Sequence, residues 1–154
     1  MKPILSLKKL SELLDLNSNL PLFDKIKIVN SYNGLDWKDY LSYNKNQVYS
    51  RVEIPCNSCD IFVITWKPFG ISGVHNHASQ GCIMKYLGNN GFLFEHRYNN
   101  EKPYKYLTTS ILFSNKISYI HDSLYLHSIE NKLPNYSFTL HIYQPKGFHT
   151  KFFT

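Results

Sequence analysis

The residues of this chain best suited to chemistry gather around His75-Asn76-His77, with a thiol close behind at Cys82. Read as part of a β-strand, the two histidines project from one face, so both imidazoles can reach one metal ion. Two ligands do not make a catalytic site, which needs a third protein ligand and open coordination positions. His96, His121, His127, His141 and His149 are the candidates for the third. Three imidazoles with open positions describe a catalytic zinc as well as a non-haem iron, and spacing does not choose between them. Near the C-terminus Phe138, Leu140 and Ile142 alternate with Thr139, His141 and Tyr143, an apolar face backed by one carrying an imidazole and a phenol. Tyr49, Arg51 and Glu53 also share one face of a strand. An arginine turned inward there needs an anion to offset its loss of water, and a substrate carboxylate would serve.

The elements that must position these groups are short. A chain of 154 residues with 43% hydrophobic content is sized for one domain, with a helical lead-in over 1–45 and a β-rich part over 46–154. The spacing of Leu7, Leu10 and Leu14 predicts an amphipathic helix over Pro3 to Leu16. Shorter helices are expected over Leu22 to Val29 and Leu35 to Ser42, separated by the breaker at 30–34. From Val48 the pattern changes to β-branched and aromatic segments at 48–54, 61–66, 82–87, 91–97, 106–113, 116–120, 125–129 and 136–143. Asn89-Asn90-Gly91 marks a tight turn between two of them. Serial short strands behind helices predict a mostly β fold, an antiparallel jelly-roll sandwich or barrel.

The formal charge of +6 comes from lysines scattered along the chain without a basic cluster, which argues against a nucleic-acid surface. Three cysteines cannot all pair, which fits a reducing compartment. Lys8, Lys9 and Glu12 interrupt the N-terminal leucines, and no run is long enough to span a bilayer, so a cytoplasmic protein is expected.

Gly70, His75 and His77, with Cys82 where an acidic residue would usually stand, form a first motif that resembles the cysteine dioxygenases, thiol dioxygenases of the cupin superfamily. Asp122-Ser123, His127 and Glu130-Asn131 are similar to the second motif of that family, Leu140-His141-Ile142-Tyr143-Gln144-Pro145 to its closing motif, and Tyr49-Ser50-Arg51 to its Tyr-x-Arg strand. The likeness runs from about Trp37 to Phe148, with Thr139 where the family usually has Ser. It implies a cupin jelly roll holding one Fe(II) per chain on His75, His77 and His127. Arg51 would then hold the substrate carboxylate, Tyr49 and His141 would stand behind the site, and Cys82 and Tyr143 would share a thioether. The implied activity is oxidation of L-cysteine with O2 to cysteine sulfinic acid by a monomer. A dioxygenase for another small thiol, 3-mercaptopropionate or cysteamine, and a non-catalytic metal-binding cupin are the alternatives.

The remaining candidates read as structural. Cys56-Asn57-Ser58-Cys59 has no second CxxC to complete a zinc knuckle and is expected at a hairpin tip with free surface thiols. His121 is expected in an exposed turn, and His96 and His149 have no partner pattern.

Overall fold

The computed structural model describes residues 1–153 as two five-stranded antiparallel sheets behind two N-terminal helices. The first sheet has the order β1(Tyr49–Ile54), β2(Asp60–Trp66), β9(Ser137–Tyr143), β4(Cys82–Leu87), β7(Ile117–Ile120). The second has the order β10(Phe152–Phe153), β3(Val74–His75), β8(Leu126–Glu130), β5(Phe92–Tyr98), β6(Tyr106–Phe113). The sheets face one another without closing into a barrel, so the architecture is a jelly-roll sandwich. No helix among the described residues is long and apolar enough to cross a membrane.

Strands β2, β9 and β4 of the first sheet are buried on both faces, and this decides where polar chemistry can sit. Its outer face carries Ile61, Val63, Leu140, Ile142 and Ile83, which pack under α1(Leu7–Leu16) and α2(Leu22–Asn30) through Leu7, Leu10, Leu14, Ile28 and Val29. Because side chains alternate, the inward row of β9 is Thr139, His141 and Tyr143. Cross-strand register extends that row: Cys82 and Asp60 lie opposite Tyr143, Met84 and Phe62 opposite His141, and Ile64 opposite Thr139. On β1, Arg51 pairs with Ile64 and Tyr49 with Trp66, so both belong to the inward row.

The first helix begins at Leu7, not at Pro3. Ser6 caps it, its hydroxyl accepting from the Lys9 amide, while the Ile4 backbone bridges to the residues around Tyr32. That bridge holds Ile4 extended and shortens the helix that leucine spacing alone suggests. The stretch expected as a third α-helix is a 3-10 helix over Asp36–Tyr40, with Trp37 buried. The strands at 74–75 and 152–153 are two residues each, too short to leave a pattern in sequence. Gly91 ends the tight turn after β4 with φ +87, where a Cβ would meet Leu133 at 2.9 Å.

Lys85 is the exception on the outer face of the first sheet. It is buried, and its Nζ donates to the carbonyls of Asn30 at 2.9 Å and of Tyr32, closing the C-terminal end of α2. Burial pushes its pKa down to about 8. Lys85→Ala would orphan those carbonyls and open a cavity, so we expect a loss of about 2–4 kcal/mol in urea denaturation. Exposed Lys27→Ala should stay within about 0.5 kcal/mol of the parent.

Candidate metal centre

His75, His77 and His127 converge between the sheets, each buried, with one ligand atom from each within 4.8 Å of the others. No other such group of three metal-ligating side chains occurs among the described residues. His75 and His127 are direct register partners on β3 and β8, which places their rings side by side. His77 lies past the end of β3, so the pair does not share a strand as its spacing suggests. Its position comes from Asp122, whose Oδ1 accepts from the His77 backbone N–H at 2.8 Å and from its ring Nδ1–H at 3.1 Å.

Each ring has its Nδ1 facing a group that can only accept. The Gly73 carbonyl lies 2.9 Å from His75 Nδ1, Asp122 holds His77, and Glu95 Oε1 lies 2.9 Å from His127 Nδ1. Nδ1 therefore carries the proton in all three, and each Nε2 offers a lone pair. Burial, then the charges of neighbouring histidines, holds His75 and His127 well below the ordinary histidine range, so both are neutral. The His127 Nε2 lies 3.0 Å from that of His77 and 3.1 Å from that of His75. Lone pairs facing one another at that range repel unless a cation lies among them, so this donor set fits a divalent metal ion.

Glu95 is the residue that sequence reasoning missed. It is fully buried, and its Oε2 accepts from the Ser118 hydroxyl at 2.7 Å. Arg97 donates to Ser118 at 3.0 Å and to the Tyr119 carbonyl at 3.2 Å, with a longer contact to Glu95 at 3.4 Å. The available signal was parity: Leu93, Glu95 and Arg97 take the inward face of β5, and a buried carboxylate requires partners.

On the facing sheet a hydrogen-bonded row runs from Trp66 to Tyr143. The Trp66 indole donates to Thr139 Oγ1 at 2.8 Å. The Thr139 hydroxyl lies 2.9 Å from His141 Nε2, and His141 Nδ1 lies 3.1 Å from the Tyr143 hydroxyl. If Thr139 donates to Nε2, then Nδ1–H donates to Tyr143, and the phenolic O–H is the one proton of the row left without an acceptor in it. Burial, with His75 and His77 close by, lowers the His141 pKa to about 3, and burial pushes the Tyr143 phenol well up. The row therefore ends in a protonated phenol backed by a neutral imidazole.

Arg51 is exposed at the mouth of the site, its guanidinium 4.6 Å over the Phe62 ring, and Phe62 meets Tyr143 edge-on at 6.0 Å. The acid beside it, Glu53, faces Lys146 instead at 3.9 Å, which leaves Arg51 available to an incoming anion. A polar cleft of about 620 Å³ opens here, lined by Tyr49, Arg51, His149 and Phe152 among others. Phe152, 5.6 Å from the His75 ring, forms its wall toward the histidines. His149 thus lies at the cleft, away from the three ligands. His96 is placed elsewhere, between Thr109 and Glu130, and His121 bonds the Ser79 carbonyl in a half-buried turn.

The family model for cysteine dioxygenase type I matches residues 9–153. The chain belongs to that family. Cysteine dioxygenase type 1 of Bos taurus is 28% identical over 120 residues, covering 73% of this chain and 58% of the relative. The Homo sapiens protein of the same name is 26% identical over 117 residues, covering 71% and 57%. The chain therefore spans less than three-fifths of the length of these relatives. Among solved structures, a protein with a double-stranded β-helix domain from Klebsiella pneumoniae superposes with a TM-score of 0.57 at 13% identity, covering 75% of this chain and 92% of that one. Oxalate oxidase in complex with glycolate superposes with a TM-score of 0.56 at 10% identity, covering 73% and 59%. At such identities these two show the cupin fold alone.

Glu95→Gln keeps the size of the side chain and removes the charge that orients His127. It should weaken divalent-metal binding by roughly 10- to 100-fold in competition with a chelator, with the fold intact.

Proposed function

We propose that this chain is a mononuclear iron thiol dioxygenase that oxidises L-cysteine with O2 to cysteine sulfinic acid, acting as a monomer in the cytoplasm. The observation that carries this reading is the buried three-histidine cluster facing a row that bears Arg51, Cys82 and Tyr143. The His127 Nε2 lies 3.0 and 3.1 Å from those of the other two histidines, a spacing that one divalent ion can span, and membership of the cysteine dioxygenase family supports Fe(II) as that ion. When bound, Fe(II) would supply the place where thiol and dioxygen meet and through which both oxygen atoms pass to sulfur.

The protein's own groups would then position the substrate. Arg51, resting on Phe62, is free to take a carboxylate in a bidentate contact that a lysine could not copy. Tyr143 would donate its phenolic proton to substrate or oxygen, with His141 and Thr139 fixing its orientation. Among the described residues, those lining the cleft include no carboxylate to receive an ammonium group, so 3-mercaptopropionate is the second reading. Cysteamine is disfavoured, since it would leave Arg51 unused.

Cys82 and Tyr143 occupy directly opposed register positions on β4 and β9 and pack in one buried cluster. We propose a thioether between the Cys82 sulfur and the ring carbon beside the phenol oxygen, formed with loss of two hydrogens to O2 as oxidant. The link would fix the phenol in one rotamer and reduce the ordering needed at each turnover.

Oxygen uptake by the Fe(II) protein against a panel of thiols tests the activity, and iron binding without uptake for any thiol would leave a non-catalytic cupin. Arg51→Ala should retain iron by elemental analysis and lose roughly 10- to 100-fold in kcat/KM for L-cysteine. Unchanged cysteine kinetics would remove Arg51 from the site. For the thioether, peptide mass spectrometry after turnover should find the Cys82 and Tyr143 peptides joined, two hydrogens lighter than their sum. If they only ever appear separately, no link forms.

A further inference from the structure

Cys56 and Cys59 stand outside the site described above, and the structure corrects the expectation of surface thiols. They do sit at the tip of the β1–β2 hairpin, but they are only 6% and 3% exposed, with their sulfurs 3.4 Å apart. The tip is folded onto α1. Asp15 Oδ1 accepts from the Ser58 amide at 2.8 Å, the Asn57 amide at 3.1 Å and the Cys56 thiol at 3.1 Å. Ser11 donates to the Pro55 carbonyl at 2.5 Å, and the Lys146 ammonium to the Cys56 carbonyl at 2.6 Å. Five bonds from two other segments thus hold the five-residue tip 55–59 with its thiols facing each other. A metal reading fails, since these cysteines belong to no three-ligand group among the described residues.

We propose that Cys56 and Cys59 form a redox-active dithiol, oxidised by hydrogen peroxide to a reversible intrachain disulfide. The geometry supplies what such a pair requires. Closing the bond moves the sulfurs by a little over 1 Å, a side-chain adjustment within a turn already fixed by Asp15. A cavity of about 130 Å³ lined by Ser58, Cys59, Gln80, Gln144 and Pro145 opens on Cys59, whose sulfur lies 3.4 Å from that of Cys56. That is room for a few water-sized molecules, a size that hydrogen peroxide does not exceed. A hydrogen bond from Cys59 lowers the Cys56 pKa to about 6, and that same bond, with burial, pushes Cys59 up. Cys56, which gives up its bond to Asp15 as it ionises, acts as the attacking thiolate, and Cys59, its sulfur 3.4 Å away, as the resolving thiol.

The chemistry balances with peroxide as the only oxidant. The Cys56 thiolate attacks one peroxide oxygen, the O–O bond breaks, and the second oxygen leaves as hydroxide, which takes up a proton to become water. Cys56 is left as a sulfenic acid. The Cys59 sulfur then displaces that hydroxyl, which departs as a second water with the Cys59 proton. Two thiols and one peroxide give one disulfide and two waters, with two electrons passing from sulfur to oxygen. The tip is also tied to the chain beyond Tyr143. Asp60, next after Cys59, pairs in register with Tyr143 and accepts from the Gly147 amide at 2.8 Å.

The test uses the full chain at neutral pH with equimolar hydrogen peroxide, followed by denaturing alkylation and cleavage before aspartate. This leaves Cys56 and Cys59 on the peptide 39–59 and Cys82 on another, so a thioether at Cys82 is not mistaken for the disulfide. The 39–59 peptide should appear two hydrogens lighter, unalkylated, and recover both thiols after dithiothreitol. In Cys59→Ser, Cys56 should be trapped as a sulfenic acid by dimedone, and in Cys56→Ser no adduct should form at Cys59. Alkylation of both cysteines after peroxide, or disulfides only between chains, would overturn the proposal.

Discussion

Three buried imidazoles with their lone pairs turned toward one another are the constraint on which this structure depends. Each ring must surrender its other nitrogen to a fixed acceptor, because an unsatisfied donor in a dry interior costs as much as a lost hydrogen bond. The acceptors are of three kinds: a carbonyl two residues away, the Asp122 carboxylate in the turn before β8, and Glu95 on β5. Those acceptors are themselves held. Glu95 needs Ser118 and Arg97, and Asp122 needs the His77 backbone. The cluster therefore reaches outward to β7 and β5 before any substrate is considered.

A polar interior of this size requires an apolar core elsewhere, and the helices provide it. By covering the outer face of the first sheet, α1 and α2 let Leu140, Ile142, Ile61 and Val63 form the main hydrophobic cluster away from the site. Thr139, His141 and Tyr143 can then face inward without unfolding β9, since the same strand is anchored by its other face. Lys85 shows the limit of that arrangement: a charge on the outer face is tolerated only because the last carbonyls of α2 receive it.

What could be read from sequence follows the range of the interactions. Strands β4, β6 and β9 were legible because alternation and turn residues are local signals, and the Asn89-Asn90-Gly91 turn lies where its residues place it. His77 was misplaced onto a strand because its position comes from Asp122, 45 residues away. Glu95 and the burial of Cys56 and Cys59 were invisible for the same reason, each depending on partners from another element. The start of α1 was misjudged because Ile4 is claimed by a backbone bridge to Tyr32, which leucine periodicity cannot register. The three metal-ligand candidates and the facing row were legible through motif likeness, which carries long-range information that spacing lacks.

The two sheets divide the work unequally. The second sheet and the loops joined to it supply all three histidines and their acceptors, each tied into register or hydrogen-bonded to a neighbour. The first sheet supplies the groups that would meet a substrate, and among these Arg51 and Tyr49 lie on β1, an edge strand paired, among the described residues, with β2 alone. An edge strand can shift or change side chains without disturbing a register shared by two neighbours, whereas β8, between β3 and β5, cannot. A change on β1 should therefore alter which anion is held before it alters the metal ligands. A change on β5 acts the other way, because Glu95 and Arg97 touch the metal-ligand cluster and line no part of the cleft. The cleft at Arg51 and the three-histidine cluster are thus built on separable elements, and the separation follows from strand order.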